Sequence, residues 1–160
     1  MKKDKYNDYL QILKEELVPA MGCTEPIAIA YAAAKARDVL GKIPEKVTAK
    51  CSGNIIKNAM CVTVPNTGDL VGIKASAIIG VLAGDSSKEL EVISEVKEEH
   101  IIEANKLMSE EYCFVERLDT DIQLHIIMEV YSGEDSAIVE IKYAHNNISK
   151  VIKNGELLFE

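Results

Sequence analysis

The sequence predicts an α+β domain in which buried helices pack on a largely antiparallel β-sheet with one wet face. Two segments, residues 26–40 and Gly72–Ala83, are apolar on nearly every side and rich in alanine and glycine, as helices inside a core are. From Tyr112 onward the apolar period changes to two, the mark of half-buried strands. Asn154-Gly155, the pair a type I′ hairpin prefers, sits between two of these runs. The chain has 160 residues, enough for a single domain that buries a core without disulfides, and no repeat or linker divides it.

In chain order, Tyr6, Tyr9, Leu10, Leu13 and Leu17 recur at helical spacing among Lys and Glu, which predicts a surface helix laid on a core. The next helix opens at Cys23-Thr24-Glu25-Pro26, with Thr24 as N-cap, Glu25 an acid in the first turn, and Pro26 where its missing N–H costs little. Gly41 is its left-handed cap. Val47, Ala49 and Cys51 alternate with polar residues as a strand, which the polar run of residues 53–58 interrupts. A short strand over residues 61–64 ends at Pro65, and Pro65-Asn66-Thr67-Gly68 is a turn. Gly80 allows close packing of the second buried helix, and Gly84 caps it. Residues 94–109 form an amphipathic helix headed by Glu95, Glu98 and Glu99. Ile122, Leu124, Ile126, Met128 and Val130 share one strand face, and Ala137, Val139, Ile141 and Tyr143 share the next, across a Ser132-Gly133-Glu134-Asp135 turn. Ile148–Lys153 pairs with Glu156–Phe159.

Composition excludes some functions. A formal charge of −8 leaves no basic stripe for nucleic acid. The charged start lacks the apolar core of a secretory signal, and the most apolar run, residues 71–83, contains Lys74 and is too short to span a bilayer. The expectation is a cytoplasmic protein with no membrane contact. Its four cysteines (Cys23, Cys51, Cys61, Cys113) are then free thiols, and their spacing fits no zinc motif.

Three polar clusters interrupt apolar elements: Cys23-Thr24-Glu25, residues 54–58, and Asn66-Thr67-Gly68. A thiol at a helix start is favoured as thiolate by the helix dipole, while the Glu25 charge opposes this, and the sequence leaves the balance open. The plain alternative is a small buried hydrophobe. If the clusters line one cavity, they suit a small amino acid, with Lys57 on its carboxylate. Alternatively Asn54, Asn58 and Asn66 are ordinary turn formers and Lys57 a solvated charge. Lys57 lacks the glycine-rich cradle that a pyridoxal phosphate lysine would need. Of the histidines, His100 reads as solvated and His125 as structural; His145, between two strands, is the one considered for a site.

The motifs Gly22-Cys23-Thr24-Glu25-Pro26, Ser52-Gly53-Asn54-Ile55-Ile56-Lys57-Asn58-Ala59-Met60 and Pro65-Asn66-Thr67-Gly68, in this order and spacing, resemble the N-terminal part of the L-cysteine desulfidase family, which is related to iron–sulfur L-serine dehydratases. The likeness continues through Gly72-Ile73, Gly84-Asp85, Leu90-Glu91-Val92, Ala144-His145-Asn146-Asn147-Ile148 and Asn154-Gly155, covering nearly the whole chain. The resemblance implies the allosteric-substrate-binding-like fold of serine dehydratases. It implies a [4Fe–4S] lyase that converts L-cysteine to pyruvate, ammonia and sulfide, with L-serine the other candidate substrate. Carried over, Cys23 is the catalytic thiol, as cluster ligand or as base for the α-proton. Thr24, Glu25, Asn54, Lys57, Asn58, Thr67 and Gly68 are the expected substrate-site residues.

The chain also departs from the family. The family's chains are longer, and their remaining cluster cysteines lie in a helical C-terminal domain that has no counterpart here. Cys51, Cys61 and Cys113 do not match those ligands; Cys61 and Asn66 stand where the family has glycine. A truncated chain, a split subunit awaiting a partner domain, and a degenerate remnant remain open. No cluster is expected on this chain alone, which is therefore expected to be inactive. The competing reading is a homodimeric module that binds a small amino acid without chemistry.

Overall fold

Alanines at 28, 30, 32, 33, 34 and 36 leave one helix with almost no bulk on any side, so other elements can approach it closely. The structure, a computed structural model, describes residues 3–17 and 19–160, with only the backbone described at 3, 4, 15 and 16. The elements are α1 (Lys3–Glu16), α2 (Thr24–Leu40), β1 (Lys46–Cys51), α3 (Gly53–Ala59), α4 (Gly72–Ala83), α5 (Glu98–Ser109), β2 (Cys113–Arg117), β3 (His125–Ser132), β4 (Asp135–Lys142), β5 (Ile148–Lys153) and β6 (Glu156–Phe159), with a 3-10 turn at Ser86–Glu91. Residues 27–34 of α2 are all buried. Gly41 ends the helix at φ 87°, as a left-handed cap does.

α4 lies against α2 where both are small. A methyl group added at Gly80 would meet the Ala30 backbone, and one added at Gly84 would come within 2.6 Å of Ala34 Cβ. The Arg37 guanidinium closes the crossing by donating to the carbonyls of Val81 (3.0 Å) and Gly84 (2.8 Å), at the negative end of α4.

The six strands run in the order β2-β1-β3-β4-β5-β6. Among the described residues only β1 and β2 pair in parallel, their connection carrying α3, α4 and α5. Val47, Ala49, Cys51, Ile126, Met128, Val130, Ala137, Val139 and Ile141, all buried, form the core face. The opposite face is charged, with Lys50 Nζ 2.8 Å from Glu129 Oε1. Asn154 (φ 50°) and Gly155 (φ 81°) make the expected turn between β5 and β6. The predicted α+β class, with its mostly antiparallel sheet and wet face, is the class observed. Among the described residues no helix is long and apolar enough to cross a membrane.

On that charged face Glu140 is nonetheless buried. His125 Nε2 (2.8 Å) and Lys142 Nζ (2.9 Å) meet its Oε1, and Ser149 Oγ donates to its Oε2 at 3.0 Å. Burial pushes the carboxyl up, but these hydrogen bonds and the Lys142 charge outweigh it and hold it below the ordinary glutamate range. A carboxyl depressed in the folded state contributes stability above its unfolded value, and that contribution drains as pH falls through the folded one. Glu140→Gln should therefore cost about 3 kcal/mol at pH 7 and much less at pH 3, measured by urea unfolding at both.

Several expectations are corrected. α1 is not laid on the core: its described apolar side chains are exposed, because helical spacing shows that a face exists and not what covers it. Residues 61–64 form no strand beyond a single bridge, Thr63 to Val71, since Pro65 and the following turn allow one rung. The polar run after β1 is a helix, α3, capped by the Ser52 hydroxyl accepting from the Ile55 N–H at 3.4 Å. The helix expected over residues 94–109 starts later, at Glu98, where His100 Nδ1 accepts the Lys97 N–H at 3.1 Å. Ile122 and Leu124 precede β3 in an irregular loop, and Tyr143 leaves the sheet at φ 70° and is exposed.

Candidate functional site

The first turn of α2 begins one residue earlier than the hydroxyl at 24 suggests. Cys23 is the N-cap (φ −63°, ψ 124°), Thr24 is the first helical residue, and no side chain caps the turn. Cys23 Sγ instead donates to Glu25 Oε2 at 3.2 Å. Oε1 of the same carboxylate lies 3.8 Å from His145 Nε2. That nitrogen is buried and has no hydrogen-bond partner among the described residues, so it has unused hydrogen-bonding capacity.

Glu25 and His145 border a cavity of about 560 Å³. Its walls come from four places: Glu25 in α2; Asn54 and Ile55 in α3; Asp121, Ile122, Gln123 and Leu124 in the loop before β3; and Tyr143 and His145 in the β4–β5 connection. Local bonds fix the loop. The Ser52 hydroxyl donates to the Gln123 carbonyl, the Ile122 N–H donates to Thr120 Oγ1 at 3.2 Å, and the Tyr143 N–H donates to the Leu124 carbonyl at 3.0 Å.

Electrostatics separates the two acids. Burial raises the Glu25 carboxyl, but hydrogen bonds from Cys23 and its own backbone N–H, together with the His145 ring and the Asn58 amide, bring it below the ordinary range. The Cys23 thiol moves the other way: burial, its hydrogen bond to Glu25 and the Glu25 charge push it up. The balance that the sequence leaves open thus falls on the side of a neutral thiol donating to a carboxylate.

Of the residues expected at the site, Glu25 and Asn54 line the cavity, Cys23 donates to Glu25, and Thr24 and Asn58 are half-buried and outside the lining. Lys57 is exposed and outside the lining. The third cluster meets the chain just before Cys23: Asn66 Nδ2 donates to the Ile93 carbonyl (3.1 Å) and reaches Met21 Sδ (3.8 Å), and a Cβ at Gly22 would lie 3.0 Å from Pro65 Cγ. Thr67 is buried with its hydroxyl donating to the Val64 carbonyl at 2.7 Å, and Gly68 is exposed at φ 74°. Asp121 and Gln123 escaped the sequence reading, because their alternation with Ile122 and Leu124 imitates a strand.

A metal cluster does not fit this donor set by itself. Among the described residues no group of three or more His, Cys, Asp or Glu is gathered to hold a metal. Cys51 and Cys113 are buried, both thiols pushed up to about 12 by burial, and Cys61 is exposed in the turn after α3. One thiol, that of Cys23, remains beside the cavity, where a [4Fe–4S] cluster needs four ligands.

The chain is 49% identical over 155 residues to a UPF0597 protein of Lachnoclostridium phytofermentans, a match covering 97% of this chain and 37% of that protein. It is 46% identical over 158 residues to a UPF0597 protein of Treponema denticola, covering 99% and 37%. A UPF0597 protein of Vibrio parahaemolyticus is 41% identical over 157 residues, covering 98% and 37%. No family model matches the chain, and no solved structure does. What this chain resembles along nearly its whole length is therefore somewhat more than a third of these UPF0597 proteins.

Proposed function

We propose that this chain is the substrate-site domain of a longer L-cysteine desulfidase or L-serine dehydratase-like lyase, and that a small amino acid binds in the Glu25–His145 cavity. The observation that carries this reading is the line Cys23 Sγ, Glu25 carboxylate, His145 Nε2 at the edge of a cavity of about 560 Å³. That volume lies within the range of small-molecule sites, about 300–1,000 Å³. The Glu25 carboxylate takes the α-ammonium by a charge-assisted hydrogen bond. Lys57, exposed on α3, leaves the substrate carboxylate to the Asn54 amide and the unpartnered His145 nitrogen. An ammonium beside Glu25 offsets the charge that keeps the Cys23 thiol protonated, so binding itself favours the thiolate able to take the α-proton. The overall reaction consumes L-cysteine and water and releases pyruvate, ammonia and hydrogen sulfide.

The neutral resting thiol favours a second reading, a module that binds the amino acid without chemistry. Titration calorimetry of this chain with L-cysteine and L-serine tests what both readings share. Binding lost on Asn54→Ala is expected, and heat-silent titrations contradict both. Anaerobic pyruvate formation from L-cysteine by the full-length Lachnoclostridium relative is expected on the lyase reading; binding without pyruvate leaves the module.

A further inference from the structure

α1 carries an apolar stripe that nothing in the described domain covers. Tyr6, Tyr9, Leu10 and Leu13 follow the i, i+3, i+4, i+7 spacing, and Leu17 continues the stripe one turn further. Their exposure runs from 37% at Leu10 to 70% at Leu17, and among the described residues α1 contributes none to the core. A lone helix of this length is marginal in water, because nucleation fixes several residues for one hydrogen bond and tertiary packing supplies most helical stability.

Two observations say what covers it. The match to the Treponema relative takes in 158 of the 160 residues here, α1 with them, yet only 37% of the relative, so α1 occurs in proteins with far more polypeptide to pack. Leu17 is also only six residues from Cys23, about 20 Å of chain at full extension. Along that connection Pro19 lies beside Glu89 and Leu90 of the 3-10 turn, and Asn146 Nδ2 donates to Glu89 Oε2 at 3.0 Å, next to His145. The C-terminal end of α1 is therefore tethered to the residue whose thiol bonds Glu25. A bilayer suits the stripe poorly: the chain is acidic, and the polar side of α1 mixes Lys5 and Lys14 with Asp8.

We propose that α1 is the docking helix for the polypeptide that makes up the remaining length of the UPF0597 relatives, tethering it to the Cys23–Glu25 pair. The proposal stands whichever ligand the cavity takes. Hydrogen exchange followed by mass spectrometry, on this chain alone and on the full-length Treponema relative, tests it. In this chain residues 5–17 should exchange at close to the unfolded rate, and the aligned segment of the relative about 100-fold more slowly. Leu10→Asp with Leu13→Asp in this chain should leave its melting temperature unchanged. Fast exchange in both proteins overturns the proposal, as does slow exchange in both. Protection that grows with concentration and vanishes in the double variant, with a dimer mass by light scattering, would assign the stripe to a second copy. Protection only on adding phosphatidylserine vesicles would assign it to a membrane surface.

Discussion

Glu25→Gln should make Cys23 react several-fold faster with iodoacetamide at pH 8 and weaken L-serine binding about tenfold or more. The first effect follows because the Glu25 charge and its acceptance of the thiol proton both favour the protonated sulfur, after burial, which the substitution leaves in place. The second follows because a hydrogen bond to a charged group contributes about 1.5–3 kcal/mol. Peptide mass spectrometry separates the Cys23 adduct from that of Cys61, the exposed thiol, which serves as internal reference. An unchanged Cys23 rate would mean that the carboxylate does not hold the thiol, and the proposed coupling of binding to ionisation would go with it.

Gly80→Ala should destabilise the fold by about 3 kcal/mol, the reverse of the gain of about 1 kcal/mol that the same change brings at an open helix position. The added methyl meets the Ala30 carbonyl and Cα across the α2–α4 crossing, backbone that cannot rotate away. Gly41→Ala is the control. It has open space around it and a left-handed φ of 87°, so it should cost only about 1–2 kcal/mol. Denaturant midpoints for the two variants read the difference. A neutral Gly80→Ala would place the helices further apart than described.

How much was legible in the sequence depended on whether a local rule fixed the answer. Gly41, Asn154-Gly155 and the alanine-rich helix are set by backbone conformation and side-chain size over a few residues, and the structure has them where the pattern puts them. The parallel pairing of β1 with β2 is a long-range contact across three helices, and nothing near Cys113 announces it. At the site, Glu25 is legible because it stands in the first turn of a predicted helix, and Asn54 because it belongs to a polar run that breaks an apolar strand, although nothing in that run marks it as a helix. His145 stands out in the sequence because it lies between two predicted strands, but its distance to Glu25 depends on how the β4–β5 connection folds over α2. Asp121 and Gln123 were missed because a loop pinned by Ser52 and Thr120 has the same alternation as a strand. Lys57 looked well placed for a carboxylate on a turn; on α3 the helical period carries it to solvent while Asn54 faces the cavity.

The most direct test is to add L-serine to the isotopically labelled chain and follow each backbone amide by NMR. Binding between Glu25 and His145 predicts the largest shifts at Glu25, Asn54, Gln123 and His145, with Lys57 and Gly68 nearly still. Largest shifts at Lys57, Thr67 and Gly68, with the amides of Glu25 and His145 unmoved, would contradict it.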